Sequence, residues 1–100
     1  MTDTAANPQA KTVRLLISGR VQGVGYRAWF EDEALELGLD GWVRNRGEGG
    51  VEALVHGNAR KIDDLIRACH KGPPMARVDK VQVEAAEYDG IHGFRIQKTV

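Results

Sequence analysis

Arg27 and the residues before it, Gly19-Arg20-Val21-Gln22-Gly23-Val24-Gly25-Tyr26, form the stretch of this chain best suited to chemistry. Glycines at 19, 23 and 25 let the backbone turn sharply and leave its N–H groups uncovered. Upstream, Val13, Leu15 and Ile17 fall on one side of a strand; downstream, Tyr26, Phe30, Ala34 and Leu37 recur at helical spacing. The run therefore leads from a strand into a helix N-terminus, where unsatisfied N–H groups and the helix dipole favour an anion. Arg27 is out of place there, since the same dipole disfavours a cation, and a bound phosphate removes the conflict. The candidate phosphate-binding residues are Val21, Gln22, Gly23, Val24, Gly25, Tyr26 and Arg27. Against this stands a simpler reading, in which the turn is rich in glycine for geometry alone.

Gly23 to Ala28 also fits the dinucleotide pattern G-x-G-x-x-A. That match is rejected: the chain is too short for a full doubly wound domain, and Asn45 stands about where the ribose-binding acid belongs. A second segment, Gly41-Trp42-Val43-Arg44-Asn45-Arg46-Gly47-Glu48-Gly49-Gly50-Val51, is followed by Gly57. With the first segment it resembles the acylphosphatase family. That family's first signature has the form G-x-V-Q-G-V-x-[FY]-R, met here by Gly19, Val21, Gln22, Gly23, Val24, Tyr26 and Arg27. Its second is met by Gly41, Trp42, Asn45, Gly49, Val51 and Gly57.

The resemblance runs from about Lys11 to the C-terminus and implies hydrolysis of a carboxyl-phosphate mixed anhydride to a carboxylate and inorganic phosphate. It implies no metal, no other cofactor and no covalent enzyme intermediate. Carried over residue by residue, it makes Arg27 and Asn45 the catalytic pair: Arg27 holds the phosphoryl oxygens and Asn45 orients the attacking water. The residue after that asparagine is often threonine in the family and is Arg46 here, which bears on the mouth of the site and on substrate preference. Arg20 and Arg46 are candidates for drawing in an anion, while single exposed arginines are more commonly just solvated.

The elements that must position these residues follow from periodicity. After the first strand, Lys11 to Ser18, and the first helix, stopped by Gly38, Asp40–Asn45 and Gly50–Gly57 read as a hairpin. Asn58 can cap a second helix with its apolar stripe at Ile62, Leu65, Ile66 and Cys69, ended by Gly72, Pro73 and Pro74. Val78 to Tyr88 forms a further strand, and a short last one carries Phe94 and Ile96 beyond a turn at Asp89 and Gly90. The order β-α-β-β-α-β plus one short strand predicts an α+β, ferredoxin-like split βαβ sandwich, with two helices on one face of a mostly antiparallel sheet of four to five strands. Residues 1–10 read as a flexible tail and 11–100 as the folded domain.

Composition narrows the functional classes. At 100 residues the chain suits one core, and its fourteen basic and fourteen acidic side chains cancel, so no global field recruits nucleic acid or an anionic membrane. The third strand offers Val51, Ala53 and Val55 rather than aromatic residues for base stacking, which speaks against RNA. Cys69 is the only cysteine; it excludes an intrachain disulfide and fits a reducing, cytoplasmic setting. No arginine follows it at the spacing of a cysteine phosphatase loop, and its place on an apolar stripe predicts burial. His56, His70 and His92 form no metal-ligand pattern, and Trp29 and Trp42 are expected to pack. The expected working form is a monomer whose partners are a small-molecule acyl phosphate and inorganic phosphate, with neither nucleic acid nor membrane. A non-catalytic phosphate-binding module and a domain detached from a larger enzyme are the competing readings.

Overall fold

The computed structural model describes residues 9–100. The elements are β1 (Ala10–Arg20), α1 (Tyr26–Glu36), β2 (Asp40–Asn45), β3 (Val51–Asn58), α2 (Ala59–Cys69), β4 (Arg77–Ala85) and β5 (Phe94–Ile96). The five strands form one sheet in the order β4-β1-β3-β2-β5. Every pairing is antiparallel except β2 with β5, which is parallel. Two helices lie on one face of this sheet, α1 over β2 and β5, α2 chiefly over β3. The α+β, ferredoxin-like architecture expected from the element order is thus present.

Most of the tail expected at 1–10 lies outside the described residues. Its last residue, Ala10, pairs with Asn58 and opens β1 one position before the expected start.

Periodicity explains the core. Val13, Leu15 and Ile17 alternate inward on β1, Val51, Ala53 and Val55 do so on β3, and Val43 comes from β2. They meet Tyr26, Phe30 and Ala34 of α1 and Ile62, Leu65 and Cys69 of α2. Asn58 caps α2 with its side chain, accepting from the N–H groups of Arg60 and Lys61. The Tyr26 hydroxyl donates to the carbonyl of Cys69 at 2.8 Å, tying the first turn of α1 to the last turn of α2.

The other face of the sheet is less open than alternation alone suggests. Glu52, which faces away from the helices, is only 4% exposed because two arginines lie against it. Arg14 Nε donates to one of its oxygens at 2.6 Å and Arg44 Nε to the other at 2.9 Å; Arg14 also reaches Glu84 at 3.0 Å. The Arg44 guanidinium stands 4.5 Å from the Trp42 ring centre. Beyond β4, which stops at Ala85 rather than running on to Tyr88, the chain passes over this face. Tyr88 stacks on His56 at 3.6 Å and Asp89 accepts from the Trp42 indole. That path delivers β5 to the far edge of the sheet, beside β2.

Candidate active site

Strands β1, β2 and β5 all run toward the same end of the sheet, and their C-terminal ends converge there. β1 feeds the glycine loop, β2 ends at Asn45 and β5 ends at Ile96. Between them lies a cleft of about 220 Å³ lined by Val21, Gly23, Gly25, Tyr26, Arg27, Ala28, Asn45 and Ile96. Parallel pairing of β5 with β2 sets Ile96 opposite Val43, two residues before Asn45.

The loop has the form expected of an anion cradle. Gly23 and Gly25 adopt φ of 75° and 80°, the left-handed region that turns successive N–H groups toward one side. Gly25 is also the N-cap of α1 and offers no side chain to its first turn, which contains no acidic residue either. Consequently the backbone N–H groups from Gln22 to Ala28 have no acceptor among the described residues. They meet the positive end of the helix dipole, a combination suited to a tetrahedral oxyanion.

Arg27 occupies the second position of α1, is half-buried, and makes no ion pair or side-chain hydrogen bond among the described residues. By contrast, Arg14, Arg44 and Arg46 all have carboxylate partners. Asn45 presents the complementary anomaly: its Oδ1 is buried and lacks a hydrogen-bond partner among the described residues. An unmatched buried acceptor costs about 1–3 kcal/mol, and this one borders the same cleft as the unpaired Arg27 guanidinium.

The remaining loop residues divide by role. Val21 is 1% exposed and sits in the core while edging the cleft; Tyr26, equally buried, also borders it and commits its hydroxyl to the Cys69 carbonyl. Burial raises the Tyr26 phenol far above its ordinary range, so it stays a neutral donor to Cys69. Val24 packs on the core, and Gln22 turns its carboxamide to the β2–β3 turn, so neither side chain lines the cleft. Arg46 does not line the cleft either: its guanidinium bonds Glu48 and borders a separate hollow with Lys80 and Gln82. Arg20 is exposed beyond the cleft.

Burial also pushes the Cys69 thiol up to about 12, which suits packing and not nucleophilic attack. Among the described residues no group of three or more His, Cys, Asp and Glu side chains could hold a metal ion, and no helix is long and apolar enough to cross a membrane. Ala28 and Ile96 are site residues that periodicity does not reveal. Ile96 reaches the cleft only because β5 joins the sheet beside β2, a pairing between segments about fifty residues apart.

Comparison with known proteins agrees with this arrangement. The acylphosphatase family model matches residues 13–96. An acylphosphatase of Rhizorhabdus wittichii is 44% identical over 96 residues, covering 96% of this chain and 97% of its own length. The acylphosphatase structure from Coxiella burnetii superposes with a TM-score of 0.85 at 34% identity, covering 97% of this chain and all of that one. That from Bacillus subtilis gives 0.84, also at 34% identity, over 89% of this chain and 99% of its own. With its fold, both signatures and nearly its full length matched, the chain belongs to the acylphosphatase family.

Proposed function

We propose that this protein hydrolyses acyl phosphates, using Arg27 and the loop N–H groups to hold the phosphoryl group and Asn45 to hold the attacking water. The observation that supports this most is the coincidence in one cleft of an unpaired guanidinium, uncapped backbone donors and an unmatched amide acceptor. In phosphoryl transfer the protein's work is mainly positioning and charge stabilisation, and these groups supply both. A water donating to Asn45 Oδ1 keeps a lone pair directed at phosphorus. As the new P–O bond forms, the bond to the acyl oxygen breaks and the carboxylate leaves with its electron pair. The water's proton passes to a phosphate oxygen.

A carboxylate whose conjugate acid has a pKa of about 4 departs at neutral pH without a general acid. That accounts for a site built without a carboxylate pair and for a reaction that runs without a metal. An alkoxide from a phosphate monoester is far more basic, so the same groups are inadequate for it.

The test is to follow acetyl phosphate decay with purified protein in excess chelator, alongside a simple alkyl phosphate. Rapid loss of acetyl phosphate with negligible monoester cleavage is expected. Binding of inorganic phosphate without turnover would instead identify a phosphate-binding module, and equal rates on both substrates would contradict the leaving-group argument.

A further inference from the structure

Gln22 sits in the phosphate loop yet directs its side chain elsewhere. Its Nε2 donates to the carbonyl of Arg46 at 2.8 Å and to that of Gly50 at 2.7 Å. A carboxamide nitrogen has two hydrogens, so both are committed and none remains for a ligand. The two acceptors close the turn that begins immediately after Asn45: Arg46 N–H donates to Gly50 O at 3.1 Å and Gly49 N–H to Arg46 O at 3.0 Å. Among the described residues no other hydrogen bond joins residues 21–27 to residues 45–50.

We propose that Gln22 is a positioning residue whose carboxamide sets the separation between the phosphate-holding loop and Asn45. This rests on the acyl phosphate hydrolase reading above. Arg27 and the loop amides belong to one continuous stretch of chain, so their grip on phosphate does not depend on the neighbouring turn. Asn45 belongs to β2, and its placement relative to that phosphate is a matter of how the two segments are held together. Gln22 is exposed, so its packing contributes little to the fold, and its two bonds act on that separation. Misplacing a reacting group by an ångström costs up to about 100-fold in rate, whereas ground-state binding of the anion is untouched.

The test compares Gln22→Glu, of the same length but without donors when ionised, and Gln22→Met, of similar length and never a donor. For each, kcat on acetyl phosphate, competitive inhibition by inorganic phosphate and the thermal midpoint are measured beside wild type. Both variants are expected to fold and to lose about 10- to 100-fold in kcat; Gln22→Met keeps phosphate inhibition within about threefold, while the carboxylate of Gln22→Glu repels the anion and weakens inhibition, though by less than kcat falls. A protonated carboxyl regains one donor, so the Gln22→Glu deficit relative to wild type should shrink as the pH falls toward about 4, while that of Gln22→Met should not. Folded variants with wild-type kcat, or with kcat and phosphate affinity reduced in the same proportion, overturn the proposal. Wild-type protein without turnover overturns the hydrolase reading as well, which separates the two failures.

Discussion

Arg27 holds its charge at the end of α1 that opposes it, with no carboxylate among the described residues to neutralise it. The expected consequence of Arg27→Ala is therefore loss of function without loss of fold: turnover on acetyl phosphate falls by roughly 100-fold or more, the scale set by a single lost oxyanion donor. Steady-state kinetics on protein with an unchanged circular dichroism spectrum checks this. Asn45→Ala should behave differently. On the proposed role, in which the amide acts on the water and not on the anion, turnover collapses while the inhibition constant for inorganic phosphate stays close to wild type; phosphate titration of the inactive variant decides the point. At this scale the sequence points to two residues that the fold brings to one cleft, and their roles are the proposal above. Arg27 stood out as a cation at a helix start, and Asn45 entered through the family signature, since an asparagine has no local anomaly in sequence. Its orphaned oxygen is visible only once the surrounding strands are assembled.

Among the elements, β5 has an effect out of proportion to its length. Its three residues pair with Gly41–Val43, its Phe94 ring lies 5.6 Å from that of Phe30, and its last residue borders the cleft. Ile96 is 38% exposed there and, with Ala28, gives the cleft an apolar surface, against which the acyl group would rest under the proposed function. Ile96→Ala is expected to raise KM for benzoyl phosphate by about 10-fold and to leave that for acetyl phosphate nearly unchanged, the size expected when a few methylene contacts are lost. Parallel measurements on the two substrates test this. At the start of β2, Gly41 has φ of 137° and a Cβ added there would lie 1.9 Å from the carbonyl oxygen of Leu54 on β3. Gly41→Ala should accordingly cost about 2 kcal/mol or more through backbone displacement and strain, measured by urea denaturation. The strand periods and the helix stripes identified all seven elements. The end of β4 and the partner of β5 were not legible, because they depend on side chains such as Tyr88 and Asp89 meeting His56 and Trp42 across the sheet.

On the scale of the whole molecule, a buried carboxylate clamps the face of the sheet away from the helices. Burial opposes the ionised form of Glu52, yet the hydrogen bonds from Arg14 and Arg44 prevail and hold its carboxyl below the usual carboxylate range. A group with a depressed folded-state pKa contributes stability above its unfolded value, near 4.5, and that contribution is lost as the pH falls through the lower folded value. Acid unfolding should thus steepen below about pH 4.5. Glu52→Ala should remove about 2 kcal/mol at pH 7 and flatten that acid limb, as followed by urea midpoints at neutral and acidic pH. The same strand shows where sequence and structure divide the work. Alternation in β3 determined that Val51, Ala53 and Val55 face the core, and glycine spacing with the two signatures determined the loop, the family and the two residues proposed as the catalytic pair, because these depend on local backbone preference and on residue identity. Only the tertiary structure decided that Glu52 is buried, that the Gln22 carboxamide bonds the β2–β3 turn, that Arg46 turns away from the cleft, and that Ile96 borders it. Each of those outcomes depends on contacts between segments distant along the chain, and no local period encodes which side chain will be there to meet them.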